Sequence, residues 1–499
     1  MRFGDLIDWA LADGAGPRTA LIGEHGALTY RELDRAANRF AHSLAVRGFG
    51  PGARIALASR HRLAAGVIVL GAARAGVVLV HLSPRSSAAE IDGALAETRA
   101  RILFGEPDIR SDRVPVVDLD EAPDWFATGP DDRPEPAFGP DAPLALMFSG
   151  GTTGAAKGVL VSHRARLLTT ELAAEGLGVT ATDRVLLSTP LFHTAGLFCW
   201  LAPAWRQGAT AILGGKWSAE AFLGTVEQHR VTAAFLVPTQ VSDLLAVPGL
   251  APGRLASLRL VVHAGAAMPT ALTDRLAALL PAAEIAEHYG LSETGLLTVR
   301  RRGDPAEARS GTGVSNVGRP PWPVELAVRG ADGTFLPPDA IGEIATRGPH
   351  LLSDLVGSTP RATLFPWGDD WLATGDRGLI DAAGALTLIA RSKDVIVSGG
   401  ENIYPGEIEA ALLRHPALAE CAAFGVPDER LGEVPVALVV LRPGASATEP
   451  ELIDLALSIL ARHKRPRRVL FAAALPRSAV GKVLKSRLTA QYLGTPANP

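Results

Sequence analysis

Residues 147–163 read Met-Phe-Ser-Gly-Gly-Thr-Thr-Gly-Ala-Ala-Lys-Gly-Val-Leu-Val-Ser-His. The apolar run Leu144–Phe148 predicts a strand. The small and hydroxylated residues Ser149–Gly154, followed by Lys157, predict a phosphate-binding loop, because backbone N–H groups, hydroxyls and one cation can approach phosphate oxygens closely there. A Walker A loop needs Gly-Lys-Ser/Thr together, and Ala156 precedes Lys157 instead. An ordinary turn rich in glycine, serine and threonine is the alternative.

The composition is typical of a globular chain with more than one domain. Its 499 residues exceed the size of one domain, which is usually ~100–200 residues. Hydrophobic residues make up 47% and charged residues 20%, and the net charge is −3. We therefore expect no nucleic-acid partner and no membrane partner, because neither a basic excess nor a basic run is present.

Three further features favour a cytoplasmic protein. The N-terminus lacks the apolar core of a signal peptide. The apolar stretch 63–82 contains Arg74 and is interpreted as a buried helix, a turn at Gly76 and a strand. Cys199 and Cys421 lie far apart in apolar surroundings, so we expect two buried free thiols and neither a disulfide framework nor a cysteine-based zinc site.

Short apolar runs alternate with helical patterns over the first 300 residues. Apolar residues at helical spacing predict an amphipathic helix over 31–47. Continuous apolar strands separated by helices predict largely parallel sheets covered on both faces, which is an α/β architecture. Residues 105–143 are interpreted as a surface connection. The predicted strands are 55–58, 77–80, 101–104, 144–148, 184–187, 209–213, 233–237 and 258–262.

The character of the chain changes twice after residue 300. Glycine, proline and short β-like pieces in 300–350 predict a small barrel or sheet. A fresh α/β unit begins near residue 390, after the short charged separator 391–394. We therefore predict a large N-terminal domain of residues 1–390, a hinge at 391–394, and a small, mobile α+β domain of residues 395–499.

Further motifs accompany the 149–158 loop. They are His-Tyr-Gly-Leu-Ser-Glu-Thr-Gly at 288–295, Thr-Gly-Asp at 374–376, the run from Arg391 to Pro405, and Leu-Pro-Arg-Ser-Ala-Val-Gly-Lys-Val at 475–483. In this order and spacing they closely resemble the acyl-adenylate-forming superfamily of acyl-CoA synthetases, adenylation domains and luciferases, and above all its bacterial carboxylate–CoA ligases. The resemblance covers nearly the whole chain.

The resemblance implies a two-step reaction that uses ATP, Mg²⁺ and CoA. A carboxylate attacks the α-phosphorus of ATP, pyrophosphate leaves, and the acyl-AMP passes to the thiol of CoA. Positioning and fixed positive charge do most of the work in such a step. Lys482 is implied as the main catalytic residue, bridging the carboxylate and the α-phosphate. Glu293 would hold Mg²⁺, and His193 would lie at the acyl pocket.

Nucleotide-binding roles are implied for residues of every motif. Tyr289 would stack on adenine with His288 near the amino edge of the base, Asp376 would accept hydrogen bonds from the ribose hydroxyls, and Arg391 would approach the ribose and phosphates. The implied ATP- and AMP-binding residues are Ser149, Gly150, Gly151, Thr152, Thr153, Gly154, Lys157, Gly265, Ala266, His288, Tyr289, Gly290, Ser292, Asp376, Arg391 and Lys482.

The second half-reaction is implied to need a rotation about Lys393. The turn that begins at Gly399 would then replace Lys482 and line a tunnel for the thiol of CoA. Its implied residues are Gly399, Gly400 and Glu401. A plain hairpin is the alternative for this turn.

The acid is expected to be aryl or short-to-medium aliphatic. Amino-acid-activating relatives carry an Asp near position 193 that holds the α-ammonium group, and 190–196 has no acidic residue. The implied substrate pocket consists of His193, Thr194, Phe198, Thr239, Gln240, Gly265 and Leu296.

Several alternatives stay open at this point. The acceptor could be a carrier-protein pantetheine or an amine instead of CoA, and the activated group could be a non-carboxylate anion such as nitrite. A non-catalytic nucleotide-binding protein is an alternative of another class. A homodimer is possible.

Overall fold

The structure is a computed structural model that describes residues 1–149, 157–268, 270–301, 315–357, 360–399, 401–477 and 483–492. Three sheets contain the strands up to Arg391, and a fourth contains those from Ile396 onward.

Strands and helices alternate up to residue 301. The strands are β1 (Thr19–Gly23), β2 (Gly26–Thr29), β3 (Arg54–Ala58), β4 (Val78–His81), β5 (Leu103–Gly105), β6 (Val116–Asp118), β7 (Pro143–Ser149), β8 (Lys157–Ser162), β9 (Arg184–Leu187), β10 (Thr210–Leu213), β11 (Ala233–Leu236), β12 (Leu260–Ala264), β13 (Glu284–Leu291) and β14 (Gly295–Arg301). The helices are α1 (Asp8–Ala12), α2 (Tyr30–Val46), α3 (Leu63–Ala75), α4 (Ala88–Thr98), α5 (His163–Leu177), α6 (Thr194–Gly196), α7 (Ala202–Gln207), α8 (Ala219–His229), α9 (Pro238–Leu245) and α10 (Thr270–Leu279). A π-helical turn, Leu197–Leu201, joins α6 to α7.

Strands predominate in the remainder of the chain. The strands are β15 (Ser315–Gly318), β16 (Glu325–Arg329), β17 (Gly342–Arg347), β18 (Asp354–Val356), β19 (Leu372–Ile380), β20 (Leu386–Arg391), β21 (Ile396–Ser398), β22 (Glu401–Ile403), β23 (Leu418–Asp428), β24 (Gly432–Leu441) and β25 (Arg468–Phe471). The helices are α11 (Pro405–Leu412), α12 (Glu449–Ile459) and α13 (Lys485–Tyr492).

Two large sheets form the framework of the N-terminal part. One has the order β14-β13-β12-β11-β9-β10-β1-β2 and the other β18-β8-β7-β4-β3-β5-β6. Their inner strands pair in parallel, and the antiparallel pairs involve β2, β14, β8 and β18 toward the sheet ends. The predicted α/β class with largely parallel sheets is therefore confirmed.

The apolar stretch 63–82 shows how the sequence places a helix between the sheets. Helix α3 is almost wholly buried and ends at Gly76, whose φ of +69° is left-handed. A Cβ at this position would lie 2.5 Å from the ring of Phe138, so only glycine fits. Arg74 is buried but pairs with Asp34 at 2.7 Å. The predicted helix, turn and strand are confirmed.

Residues 105–143 do more than connect across the surface. Strand β6 extends the seven-stranded sheet by pairing with β5. The 3-10 turn at 122–125 brings the ring of Trp125 to 5.0 Å from Phe104 and 6.1 Å from Phe40, measured between ring centroids. The prediction of a plain surface connection was wrong, because one tryptophan in this polar stretch anchors it to the core.

The third sheet is antiparallel, with the order β15-β20-β19-β17-β16, and corresponds to the small barrel or sheet predicted for this part of the chain. The 3-10 turn Ser392–Asp394 then leads to β21. The fourth sheet, β22-β21-β24-β23 with β25 beside β24, has its own buried core with α11 and α12. The predicted hinge at 391–394 thus falls on the turn between the third and fourth sheets. We call the sheets before this turn the large lobe and the fourth sheet with its helices the small lobe.

Within the described residues, no helix has both the length and the apolarity needed to cross a bilayer. Both cysteines are free thiols. Cys199 is fully buried, whereas Cys421 is only half-buried. Burial raises the pKa of Cys199 to about 12.

Buried imidazoles should make the fold sensitive to acid. His163 at the start of α5 has no exposed surface and lies 5.0 Å from the ring of Phe138. Burial lowers its pKa to about 4, against ~6.5 in an unfolded chain. As the pH falls below ~6.5, protons bind the unfolded state first, so stability is lost between ~6.5 and ~4.

We therefore predict that His163→Leu loses less stability than the wild type on going from pH 7 to pH 5, by about 1–2 kcal/mol. Urea unfolding at both pH values measures this difference. The same substitution at His25, which is 74% exposed, is the control. Equal pH dependence of the wild type and His163→Leu would contradict the prediction.

Candidate active site

The carboxyl ends of four neighbouring parallel strands meet at one edge of the eight-stranded sheet. These strands lie in the order β13-β12-β11-β9, and each neighbouring pair is parallel. Ligands of open α/β sheets bind at this edge. The segments that leave it are 188–193 after β9, 237–240 after β11 and 265–267 after β12. Strand β13 contains Tyr289 near its end and leads into the hairpin that contains Glu293. Residues that are distant in sequence therefore meet at this edge.

A buried carboxylate connects this edge to the third sheet. The hydroxyl of Tyr289 donates to Oδ2 of Asp376 at 2.7 Å. Nε of Arg391 lies 2.8 Å from Oδ1 of the same carboxylate. Asp376 on β19 and Arg391 on β20 are cross-strand partners, so the sheet register fixes their proximity. Three of the implied nucleotide-binding residues are therefore in direct contact.

Charge and burial shift the pKa of Tyr289 in the same direction but shift that of Arg391 in opposite directions. Burial raises the pKa of Tyr289 well above its usual value, and the negative charge of Asp376 raises it further. Burial alone would lower the pKa of Arg391, but the negative charges of Asp376 and Glu293 contribute to a net rise. Tyr289 is therefore a neutral donor and Arg391 a cation across the physiological range, which suits a ligand with hydroxyls and phosphates.

Glu293 lies at the tip of the hairpin between β13 and β14. The N–H of Leu291 donates to the hydroxyl of Thr294 at 3.1 Å, which closes the turn. A Cβ on Gly290 would lie 1.8 Å from the carbonyl oxygen of Gly295, so glycine is required there. Glu293 is partly exposed and lies close enough to Arg391 to act on its pKa. The predicted metal ligand thus lies within electrostatic range of the Asp376 cluster.

The two ends of the phosphate loop are cross-strand partners. Ser149 ends β7, Lys157 begins β8, and the two pair in register. The predicted loop residues Gly150, Gly151, Thr152, Thr153 and Gly154 lie outside the described residues, as do the predicted catalytic Lys482 and the predicted tunnel residue Gly400. Their roles stay predictions.

The segments after β9, β11 and β12 carry part of the predicted acyl pocket. His193 precedes the short helix α6 and is half-buried, with its ring 4.3 Å from that of Phe192. Gly265 has a left-handed φ of +87°, and Ala266 beside it is exposed. These residues, together with Thr194 and Thr239, lie on the segments that leave this sheet edge, and their role in a substrate pocket stays a prediction.

Other predicted pocket residues have structural roles in this structure. Oε1 of Gln240 accepts from the N–H of Val237 at 2.9 Å, and its Nε2 donates to the carbonyl of Ser188 at 3.1 Å. Gln240 therefore ties the ends of β9 and β11 together. Phe198 and Leu296 are fully buried in the main core, and the structure does not bring their side chains to the exposed edge.

His288 and Tyr289 follow each other in β13, so their side chains point to opposite faces of the sheet. His288 is buried with its ring 6.4 Å from that of Phe235, and neither of its ring nitrogens has a hydrogen-bond partner within the described chain. Burial lowers its pKa to about 4, so the imidazole is neutral. Since Tyr289 is the residue predicted to stack on adenine, a contact of His288 with the base would have to come from its backbone.

Two residues of the site were not identified from the sequence. Arg166 on α5 donates to the carbonyl of Ser292 at 2.6 Å. Glu343 on β17 accepts from the N–H of Gly375 at 2.7 Å and also from the hydroxyl of Ser392. A charged residue within the buried stripe of α5 was the available signal for Arg166. Nothing in the sequence around Glu343 distinguishes it from a surface carboxylate.

The small lobe carries the residues predicted for the acceptor step. Gly399 has a left-handed φ of +59° at the turn between β21 and β22, and Glu401 beside it is exposed. Lys393 lies in the 3-10 turn between the lobes and is exposed. The hinge and tunnel roles stay predictions.

Known families match both parts of the chain. A model described as AMP-binding enzyme matches residues 9–354, and one described as AMP-binding enzyme C-terminal domain matches residues 407–482. The chain belongs to the AMP-binding enzyme family.

Relatives of this AMP-binding enzyme are acid ligases. It is 33% identical to a fatty acid–[acyl-carrier-protein] ligase, ScoC, of Streptomyces coeruleorubidus, over 96% of this chain and 94% of the relative. It is 33% identical to a feruloyl-CoA synthase of an Amycolatopsis species, over 99% and 100%. The crystal structure of ATP-bound MatB from Rhodopseudomonas palustris superposes with a TM-score of 0.90 at 28% identity, covering 99% of each chain. The resemblance to bacterial carboxylate–CoA ligases, and with it an AMP-forming ligase activity, is confirmed.

The Asp376 cluster yields a test of nucleotide binding. Asp376→Ala should weaken AMP binding at least ~10-fold, because charged hydrogen bonds are worth roughly 1.5–3 kcal/mol each. Tyr289→Phe keeps the ring and removes only the donor to Asp376, so a loss below ~10-fold is expected. Isothermal titration calorimetry measures both affinities. Asp381→Ala, in the exposed turn between β19 and β20, is the control, and an Asp376→Ala protein that binds AMP as the control does would contradict this assignment.

Proposed function

We propose that this AMP-binding enzyme activates an aryl or short-to-medium-chain carboxylic acid with ATP and transfers the acyl group to CoA. The contact of Tyr289, Asp376 and Arg391, within electrostatic range of Glu293, is the observation that carries the proposal. It supplies an aromatic face, a carboxylate acceptor for hydroxyls, a guanidinium and a metal-binding carboxylate. Adenosine triphosphate with its divalent cation presents the complementary groups.

A magnesium ion fits the donor set at Glu293. Mg²⁺ is usually held by one or two protein carboxylates together with substrate phosphates and waters. Glu293 offers one partly exposed carboxylate at a hairpin tip. When bound, the ion would neutralise charge on the phosphate oxygens.

The protein groups address the main obstacle of adenylation, which is the repulsion between two anions. Arg391 is partly exposed on the large-lobe side, and Lys157 ends the predicted phosphate loop. Lys482 on the small lobe would bridge the carboxylate of the acid and the α-phosphate. Fixed positive charges that face developing negative charge lower the barrier without reorganising solvent.

The half-buried His193 and the left-handed Gly265 support an acyl pocket after β9 and β12. The segment 190–196 contains no acid that could hold an α-ammonium group, which disfavours amino acids. A feruloyl-CoA synthase among the relatives agrees with an aryl acid.

Lys482→Ala is predicted to abolish the acid-dependent exchange of labelled pyrophosphate into ATP, with a loss of about 10²-fold or more, because a transition-state charge contact disappears. Lys485, three residues later, pairs with Glu409 at 2.6 Å within the small lobe, so Lys485→Ala is the matched control and should retain exchange. Unchanged exchange in Lys482→Ala would remove this lysine from the mechanism.

The acceptor is tested separately from the adenylation step. A pyrophosphate-release screen over aryl, cinnamyl and C4–C12 acids, with and without CoA, should reveal an acid that is turned over, and mass spectrometry of the product should show an acyl-CoA. An acyl-AMP that persists with CoA but reacts with a phosphopantetheinylated carrier protein would favour the carrier-protein alternative, which the [acyl-carrier-protein] ligase among the relatives makes concrete.

Three further expectations stay predictions: a mobile small lobe pivoting at Lys393, a homodimer and a cytoplasmic location. The same screen would also distinguish the remaining alternatives. These are an amine acceptor, a non-carboxylate substrate and a non-catalytic nucleotide-binding protein.

A further inference from the structure

Arg166 is a buried cation on α5. Its side chain is fully buried, and no carboxylate among the described residues lies within the 4.0 Å of an ion pair. Its guanidinium donates to the carbonyl of Ser292 at 2.6 Å and to the hydroxyl of Thr169 at 3.3 Å, and lies 5.5 Å from the ring centre of Phe198. Its Nε has no hydrogen-bond partner among the residues that the structure describes.

A buried guanidinium without a counter-charge destabilises the fold, so packing alone does not account for Arg166. Burying a charge without a counter-charge costs several kcal/mol, and apolar side chains of similar volume often stabilise a fold more. Burial lowers the pKa of Arg166 to about 10, so the cation persists at neutral pH. The retained charge therefore calls for a functional explanation.

The contacts of Arg166 lead to the metal-binding hairpin. The carbonyl of Ser292 accepts from Arg166, and the carbonyl of the next residue, Glu293, accepts from the N–H of Leu352 at 2.8 Å. The tip is thus held from two sides. A Cβ on Gly295, which has a left-handed φ of +71°, would lie 2.6 Å from a guanidinium nitrogen of Arg166, so the hairpin and Arg166 fit closely together.

Arg166 also belongs to the unit that carries the phosphate loop. Lys157 begins β8, β8 ends at Ser162, and the hydroxyl of Ser162 caps α5 by accepting from the N–H of Ala165 at 3.2 Å. Arg166 is the next residue. One strand and the first turn of one helix therefore connect the end of the phosphate loop to the carbonyl beside Glu293.

We infer that Arg166 is a positioning residue for Mg-ATP: it fixes the Glu293 hairpin to the unit formed by β8 and α5 and places a permanent positive charge beside the residue that would hold the metal. This inference rests on the proposed function. The negative charge of Glu293 acts on Arg166, so the electrostatic connection runs through the residue that would hold the metal. In a site shielded from water such a charge acts strongly.

The test uses two substitutions at Arg166 and one matched control. Arg166→Gln removes the charge but keeps a donor for the carbonyl of Ser292, and Arg166→Lys keeps the charge. Arg74→Gln removes an equally buried arginine that pairs with Asp34 on α2, outside the site. The readouts are the affinity for Mg-ATP by isothermal titration calorimetry, the melting temperature, and separate KM values for ATP and for the acid.

Arg166→Gln should bind Mg-ATP about 10-fold more weakly, and Arg166→Lys within about threefold of the wild type, since one charge contact near the phosphates is worth on the order of a tenfold change. The KM for the acid should change less than twofold. Arg74→Gln should melt at a lower temperature and bind Mg-ATP normally.

Wild-type affinity in Arg166→Gln would overturn the inference. An equal loss in Arg166→Lys and Arg166→Gln would also overturn it, since the charge would then be irrelevant. A wild-type protein that binds Mg-ATP but exchanges no pyrophosphate with any acid would instead refute the proposed function, while the binding measurements would still decide the role of Arg166.

Discussion

The carboxylate of Asp376 is the contact on which the arrangement of the site depends. It accepts from the hydroxyl of Tyr289, which lies on the eight-stranded sheet, and pairs with Arg391, its cross-strand neighbour in the third sheet. Arg391 is the last residue before the turn that leads to the small lobe. Glu343 forms a second connection, because it joins the N–H of Gly375 to the hydroxyl of Ser392. A ligand that competes for Asp376 therefore acts on residues directly connected to the predicted hinge.

The sequence predicted the framework well, because the apolar pattern of a strand buried on both faces leaves little choice. The strand predicted at 184–187 has these same bounds as β9, and the helix predicted at 31–47 is observed at 30–46. Gly76 was recognised as a turn because it interrupts an apolar run, and its left-handed backbone explains why. Tyr289, Asp376 and Arg391 were identified by the resemblance of their motifs to a known superfamily and not by the apolar pattern of the sequence. The structure adds that these three residues touch.

The missed features all depend on contacts between distant parts of the chain. Arg166 reaches Ser292 across 126 positions, and local sequence cannot specify that partner. Trp125 was overlooked because its polar neighbours outweighed one aromatic residue. His288 shows a different point, and its predicted role at the base stays a prediction. A motif places two neighbours in one role, but the strand geometry of β13 sends consecutive side chains to opposite faces, which a list of motif residues does not reveal.

The charges around Glu293 divide into two kinds with different physical behaviour. Arg391 has a side chain that is 38% exposed, so salt and solvent screen part of its field. Arg166 has no exposed surface and is screened far less. The field of Arg391 at the site would thus weaken more with rising salt concentration than the field of Arg166. Because Arg391 is the first residue of the predicted hinge at 391–394 while Arg166 lies within α5, rotation of the small lobe about this hinge would disturb the charge of Arg391 more than that of Arg166. The contribution of Arg166 to the positive field at the triphosphate site would therefore stay constant while the small lobe rotates.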